Sequence, residues 1–313
     1  MAKAVDVMKN TSSSRVYDQY NFTPATNPNC LYFLDVQPTT EVSNKLANKN
    51  VVIGNVASQI KLADGYDFYT PTEFTASNIS YSRKFDVGNK RKVGGGWQSM
   101  VLPFEVTSIE VDGATKKWFK NAKDDADFWV YQYMGDKSLG YGAYDVVFSY
   151  LDSETMQAHT PYIMAVPDAS WGAAYSLVGK TLVFKATDAT VAPSSNLSLA
   201  GDYYSFVGTY KGQTELPGIY VLNANGTSFN TSSSVSPFNA YLYSGNQANA
   251  PAQINIVFFD NEETAIGDAR FGQIDDQTTA YPVYDLQGRQ VSNKGLQSLP
   301  KGLYIINGKK IVK

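Results

Sequence analysis

The sequence predicts an all-β protein with β-sandwich architecture. From Asn21 onward, runs of roughly four to eight residues rich in Val, Ile, Tyr and Phe alternate with clusters of Gly, Pro, Asn and Asp, the pattern of strands joined by turns. Only 18% of the residues are charged, and 22 Tyr and 16 Phe suit half-buried pleated surfaces. Because no helical apolar stripe continues past the first ten residues, we expect one or two sandwich domains and a short C-terminal β-meander or hairpin unit.

Residues 1–24 are predicted to lead into the first domain. Val5 and Met8 are one helical turn apart, which indicates a short helix over residues 1–10 before the polar run NTSSS. The opening MAKAVDVMKNTSSSR lacks the apolar core of a signal peptide. We therefore expect a longer region upstream of the segment.

The β-sandwich body is predicted over residues 25–260. Its strands are expected at 30–36, 50–56, 78–85, 97–106, 144–151, 161–166, 180–186, 203–210, 218–223, 238–243 and 253–259. The small, polar stretch 188–202 is a candidate subdivision of the body, either a link between two sheets or a long loop. The acidic stretch 261–280 has little strand pattern and is predicted to be a linker.

Residues 281–313 are predicted to form a small β unit. The ending YIINGKKIVK indicates two strands joined by a tight turn at Asn307 and Gly308. A lone hairpin is only marginally stable, so VYDLQGRQV is its expected partner. Lys309, Lys310 and Lys313 are interpreted as charges that protect an exposed edge strand.

Residues typical of catalysis are scarce. His159 is the only histidine, which excludes a multi-histidine zinc site, and we expect it to be a turn residue or a satisfied, partly buried imidazole. Cys30, the only cysteine, is expected to be a small buried hydrophobe. No G-x-S-x-G or H-E-x-x-H motif occurs. The sequence therefore favours a protein that is not an enzyme and needs no cofactor, although a carboxylate pair for glycoside hydrolysis stays open.

Two loops are candidate sites for an ion or a phosphate group. Asp124, Asp125 and Asp127 offer oxygens, but the loop lacks the glycine and the distal glutamate of an EF-hand, so a solvated loop without metal is expected. VGGGWQ (93–98) is rich in glycine but runs into a strand, which favours a flexible hairpin tip over a phosphate cradle.

Trp118 and Trp129 are the candidate carbohydrate-binding residues. They flank the acidic loop in a polar context, and exposed aromatic faces can stack on the apolar face of a sugar ring. Packing in the core or at an edge of the sandwich is nevertheless the default expectation for both, because large aromatic side chains dominate sandwich cores. Trp97 and Trp171 border glycines at strand ends and are interpreted as structural.

Charge and hydropathy exclude two classes of partner. The net charge of −3 leaves no electrostatic footprint for nucleic acid. No apolar run reaches the ~18 residues of a membrane-spanning helix.

The ending resembles the C-terminal sorting tails of exported Bacteroidetes proteins that use the type IX secretion route. In those tails a Y-D-L-x-G-R-x-V segment precedes K-G-x-Y-[IV]-x-[ND]-G-x-K. The matching residues include Tyr284, Asp285, Leu286, Gly288, Arg289, Gly302, Tyr304, Asn307 and Gly308. The resemblance covers about the last 33 residues and implies export, with the export machinery as a partner, but no activity.

The body resembles a module found in large surface proteins of Bacteroides and Prevotella. LADGYDFYTPTEFTASNISYSRKF, KKWFKNAKDDADFWV, MQAHTPYIMAVPDASWG and LPGIYVLN carry this resemblance, which spans most of residues 25–245. Such modules often follow adhesin-like regions, and none of their residues has an established catalytic role.

Together these features predict a non-catalytic, adhesin-like or structural β-protein that is secreted or held at the cell surface, as the C-terminal part of a larger surface protein. Its expected partner is a glycan or a protein of the host or cell surface. A carbohydrate-binding module for glycan capture is the alternative, and a glycoside hydrolase or peptidase is favoured less.

Overall fold

The chain forms two compact units, residues 1–267 and 268–313, in a computed structural model. The structure describes residues 5–8, 23–122, 124–140, 142–194, 196–245, 251–259, 283–284, 289–292, 303–306 and 309–312. The boundary between the units lies inside the stretch 261–280 that was predicted to be a linker, and that stretch is outside the described residues.

The regular secondary structure in the described part of the first unit is almost entirely β-strand, as the sequence predicts. The strands are β1 (Val5–Met8), β2 (Leu31–Leu34), β3 (Asn50–Ile53), β4 (Val56–Ala57), β5 (Ile60–Ala63), β6 (Phe74–Lys84), β7 (Gln98–Met100), β8 (Ser108–Val111), β9 (Ala114–Lys116), β10 (Trp118–Phe119), β11 (Phe128–Gly140), β12 (Ala143–Tyr150), β13 (Tyr162–Ala165), β14 (Thr181–Val191), β15 (Ser198–Ala200), β16 (Ser205–Thr209), β17 (Ile219–Leu222), β18 (Ser228–Ser232), β19 (Asn239–Tyr243) and β20 (Gln253–Phe259).

These strands form two large sheets. The nine-stranded first sheet has the order β1-β2-β3-β4-β6-β14-β8-β9, with β5 also paired to β6. The eleven-stranded second sheet has the order β15-β16-β19-β17-β18-β20-β12-β11-β13-β7, with β10 also paired to β11. Parallel pairing of β12 with β20 joins distant parts of the chain, and Val146 lies opposite Ile256.

Two hydrophobic cores share the middle strands of the second sheet. The first core lies between the two sheets, and the second is enclosed by the curled half of the second sheet. Alternate residues of β11 face different cores: Phe128 and Val130 enter the first, whereas Tyr131 and Tyr133 enter the second. All four residues of β13 are buried for the same reason. The fold is therefore of sandwich type, with one set of strands serving both cores.

A short helix covers the outer face of β2. The helix α1 (Thr40–Lys45) begins where the Thr39 side chain accepts a hydrogen bond from the Val42 amide. Val42 and Leu46 pack on Tyr32 and Leu34, and the same cluster contains Cys30. Cys30 is buried, as predicted. None of the helices within the described ranges has the length and apolar character needed to cross a membrane.

The predicted helix over residues 1–10 is wrong where the structure describes it. Val5–Met8 form strand β1, which pairs in parallel with Leu31–Leu34. Val5 and Val7 are β-branched and suit a strand. Pairing with a partner strand stabilises these residues more than a single, isolated helical turn would. The remaining residues of 1–22 lie outside the described part of the chain.

The stretch 188–202 does not divide the body into domains. Strand β14 continues through it to Val191 in the first sheet, and β15 (Ser198–Ala200) begins the second sheet. Both belong to the unit 1–267. The stretch is therefore a connection between two sheets, one of the two alternatives expected.

The second unit contains a four-stranded sheet. Its strands are β21 (Val283–Tyr284), β22 (Gln290–Ser292), β23 (Leu303–Ile306) and β24 (Lys309–Val312), in the order β22-β21-β23-β24. Antiparallel pairing of Ile306 with Lys309 confirms the hairpin, and β21 is its partner strand, as predicted. Tyr284 lies on β21, Tyr304 on β23, and Arg289 is exposed before β22. The remaining residues of the sorting-tail motif lie outside the described residues: Asp285, Leu286, Gly288, Gly302, Asn307 and Gly308.

Candidate functional site

Trp118 and Trp129 lie on opposite faces of the second sheet. Strand β10 runs parallel to β11, so that Trp118 is level with Phe128 and Phe119 is level with Trp129. Successive side chains of a strand point to opposite faces. The two candidate carbohydrate-binding residues therefore do not share one binding face.

Trp118 belongs to the first core. Its residue is only 8% exposed, its ring packs near Phe128, and its Nε1–H donates a hydrogen bond to the Leu151 carbonyl oxygen at 3.1 Å. A ring held in this way supports the fold and does not offer a free face to a ligand.

Trp129 instead packs against the edge of the second core, where it contacts other aromatic side chains that stay partly exposed. Phe119 stacks on Trp129 with ring centroids 5.3 Å apart. The ring centroid of Trp171 lies 5.2 Å from that of Trp129, and the two rings are tilted relative to each other. These three residues are half-buried, while Tyr175 is 70% exposed and its ring lies against Gly172. We call Phe119, Trp129, Trp171 and Tyr175 the aromatic strip.

Trp171 is held in the aromatic strip by its backbone and by its indole nitrogen. It ends a single turn of 3-10 helix, Ala169–Trp171, whose N-terminus is capped by Asp168 accepting from the Ser170 amide at 2.8 Å. The indole Nε1–H donates to the Asn89 carbonyl oxygen at 2.9 Å. Trp171, which its flanking glycine suggested to be structural, is therefore a fixed surface residue beside Trp129.

Asn89 connects the aromatic strip to the glycine-rich loop. It is 9% exposed, its amide donates to the Val166 carbonyl oxygen at 2.7 Å, and its side chain donates to the Gly95 carbonyl oxygen at 2.9 Å. The Gly96 amide donates to the Asn225 carbonyl oxygen at 2.7 Å. The expected flexible hairpin tip is in fact a turn packed between two other loops.

Three basic residues follow Asn89. Lys90, Arg91 and Lys92 are exposed, and we call them the basic turn. The Arg91 amide donates to the Ser170 hydroxyl at 2.7 Å, and the Arg91 guanidinium carbon lies 5.9 Å from the centre of the Trp171 ring. Hydrogen bonds from Ser170, with a smaller contribution from the charge of Lys90, hold the pKa of the Asp168 carboxyl below its ordinary value.

The carboxylates of the acidic loop accept hydrogen bonds from neighbouring groups of the chain. Asp127 accepts from Lys116 Nζ at 2.8 Å and from the Lys117 amide at 2.9 Å, and Asp124 accepts from the Lys120 amide at 2.7 Å. Among all described residues, including those of this loop, no group of three or more His, Cys, Asp or Glu could hold a metal ion. A cleft of about 380 Å³ beside the loop is lined by charged side chains and Trp118.

His159 is the satisfied imidazole that the sequence predicted. It is half-buried in a turn with φ of 62°, and its Nδ1 lies 2.8 Å from the Tyr210 hydroxyl. Burial lowers the pKa of the imidazole. The ring is used inside the fold and is not directed at a carboxylate or nucleophile in the contacts described here.

A second cleft, of about 400 Å³, lies where the two sheets meet. Arg83 of β6 donates to the Ser99 carbonyl oxygen and to Asn239 Oδ1, each at 2.9 Å, and its Nε lies 3.4 Å from Asp64. Arg83 therefore connects the first sheet to the second through hydrogen bonds.

Comparison of the chain with family models, with curated proteins and with solved structures gives no match. The role of the surface has to follow from its own residues. The aromatic strip offers partly exposed apolar rings, and the adjoining basic turn offers cations and hydrogen-bond donors. Such a surface is equipped to bind and orient a ligand. Phe119, Trp171 and Tyr175 were not predicted as site residues, although Phe119 directly follows Trp118 in KKWFKN.

Proposed function

We propose that the chain is a non-catalytic, adhesin-like module of an exported protein, and that its aromatic strip binds glycan. The observation that carries the proposal is the contact of Phe119, Trp129 and Trp171 at the surface, extended by the exposed ring of Tyr175. Contiguous exposed apolar surface is uncommon on soluble proteins unless it binds something. The parts of these rings that stay exposed can pack against the apolar C–H faces of sugar units.

The engagement of titratable groups supports a binding role over a catalytic one. His159 is bound to Tyr210, and Asp124 and Asp127 are bound to the backbone and lysines of their own loop. A general acid or base must reach the substrate with its proton-accepting atom. Nδ1 of His159 and carboxylate oxygens of Asp124 and Asp127 instead bind groups of the protein itself.

Export is the second part of the proposal. It is supported by the resemblance of residues 281–313 to a sorting tail and by a separate C-terminal unit with its own sheet. We assign the protein to the cell surface or the secreted fraction on this basis, with the export machinery as a partner through the tail.

Glycan binding is tested by affinity electrophoresis of the full chain in gels that contain single polysaccharides. Intact protein should be retarded by at least one of them. Trp171→Ala should weaken that binding about tenfold, because loss of one central aromatic contact costs more than about 1 kcal/mol. The matched control is Trp118→Phe, which changes a core residue and should leave the retardation unchanged.

Two outcomes would contradict glycan binding by the strip. One is a chain that migrates alike in every gel and stays blank on a glycan array. The other is retardation that Trp118→Phe and Trp171→Ala weaken equally, since that result would reflect stability and not the strip.

A further inference from the structure

The basic turn is a local concentration of positive charge on an acidic protein. Lys90, Arg91 and Lys92 are consecutive and exposed, whereas the whole chain carries a net charge of −3. Neither solubility nor the overall charge balance requires three cations in one turn. Like charges this close repel one another unless a counter-charge approaches.

Ion pairs neutralise many other cations of the first unit, but not these three. Carboxylates of the protein pair with Arg83, Lys84, Lys116, Lys120, Lys180 and Lys185. Within the described ranges, no carboxylate lies within ion-pair distance of Lys90, Arg91 or Lys92. Asp168 is the carboxylate nearby, and it accepts hydrogen bonds from Ser170. Most of the charge of the basic turn is therefore available to a ligand.

The turn is fixed in place against the aromatic strip. Reciprocal backbone hydrogen bonds between Lys90 and Gly94 close it, and the Arg91 amide is bound to Ser170. Asn89 at its start also accepts the indole hydrogen of Trp171. Because the guanidinium of Arg91 lies near the Trp171 ring, a ligand stacked along the strip meets a cation at its side.

We propose that the ligand of the aromatic strip is an anionic glycan, with carboxylate or sulfate groups bound by the basic turn. This inference rests on the proposed function and names its ligand class. Guanidinium groups bind carboxylates and sulfates through paired hydrogen bonds, and lysines add point charges. The rings supply stacking on the sugar faces, and the turn selects charged polymers over neutral ones.

The test compares polymers that share a backbone but differ in charge. Dextran sulfate is measured against dextran, and polygalacturonate against highly methyl-esterified pectin, by affinity electrophoresis with the full chain. At least one charged polymer should bind tenfold or more tightly than its neutral partner, and added salt should weaken that binding. A difference between dextran sulfate and dextran indicates sulfate recognition, and a difference between polygalacturonate and esterified pectin indicates carboxylate recognition.

The variant K90Q/R91Q/K92Q should bring the charged polymer down to the affinity of its neutral partner. The control K61Q/K117Q/K137Q removes the same charge from three other exposed lysines and should bind like the intact protein. Trp171→Ala should weaken binding to the charged polymer as well, because the ring and the turn act on one ligand.

Each alternative outcome overturns a defined statement. Equal binding of charged and neutral polymers, still lost with Trp171→Ala, leaves glycan binding intact and overturns the anionic class. Absence of binding to both charged polymers overturns the anionic class, and glycan binding by the strip is overturned as well if the chain also stays blank on a glycan array. Equal weakening by the two triple variants, or tight binding of double-stranded DNA that Trp171→Ala does not change, shows a nonspecific polyanion surface and also overturns the inference.

Discussion

His159 is the residue whose protonation should be visible in the stability of the fold. Burial lowers the pKa of its imidazole, and its Nδ1 faces the hydroxyl of Tyr210, whose own pKa burial raises well above the ordinary value. The unfolded chain therefore takes up the proton more readily than the folded protein. The stability contributed by neutral His159 is present above the ordinary imidazole pKa of about 6.5 and is lost as the pH falls below it.

We expect His159→Asn to flatten this pH dependence. Asparagine accepts the positive φ of 62° at this position but does not titrate. Urea unfolding measured between about pH 7 and pH 5.5 should show the intact protein losing stability faster than the variant.

Tyr210→Phe is the control for His159→Asn, since it removes the hydrogen-bond partner and keeps the imidazole. Its stability should be lower at every pH and should still fall on acidification. A His159→Asn variant with the pH dependence of the intact protein would show that the imidazole is not the group responsible.

At the residue scale, the sequence predicts whether a side chain is buried or hydrogen-bonded better than it predicts which side chains it contacts in space. A single cysteine at the start of an apolar run is rightly expected to be buried, and a histidine before a strand is rightly expected to be hydrogen-bonded. Trp118 and Trp129 look equivalent in sequence, because the offset that sends them to opposite faces depends on the pairing of β10 with β11. Trp171 joins Trp129 only through contacts between segments far apart in the chain.

At the scale of elements, the glycine-rich loop should respond very differently at two of its glycines. Gly94 and Gly96 both have positive φ, 80° and 73°. Nothing lies within 4 Å of a Cβ added to Gly94, whereas one added to Gly96 would overlap the backbone of Gly88. Gly94→Ala should cost about 1 kcal/mol of unfolding free energy from backbone strain alone. Gly96→Ala should cost about 3 kcal/mol or more, because steric overlap adds to the strain.

Chemical denaturation of the two variants side by side measures this difference. Gly94→Ala is the matched control, since it makes the same chemical change two residues away. Equal losses of stability would mean that the loop is loose at Gly96 and does not hold Asn89 and Trp171 in position.

Strands were predictable where their alternation or apolar run stands between clear turns. The run 253–259 coincides with β20, and 238–243 nearly coincides with β19. The longest of the described strands, β11, was not predicted, since the acidic loop precedes it and its far end is exposed. Short α1 was also missed, because six residues carry too little periodicity to show a helix.

At the scale of the whole molecule, export should depend on the C-terminal unit. We expect the full chain, preceded by a host signal peptide in a bacterium that carries the type IX route, to reach the cell surface. Deletion of residues 281–313 should leave the protein inside the cell. Antibody labelling of intact cells measures the difference.

Trp171→Ala in the full-length chain is the control for the deletion, since it alters the aromatic strip and not the tail. It should be displayed as well as the intact protein. Equal surface labelling of the deletion variant and the full chain would refute the sorting role of the tail.

The parallel pairing of β12 with β20 sets the order in which the body can be completed. Asp145 through Ser149 pair on one side with the adjacent strand β11, but their partners on the other side, Asn255 through Phe259, come about a hundred residues later in the chain. Ribosomes synthesise from the N-terminus, and non-local strand pairs form slowly. The second core therefore stays open until almost the entire first unit has left the ribosome. A chain built this way stays incompletely folded for most of its synthesis, and the second core is completed only when β20 has been made.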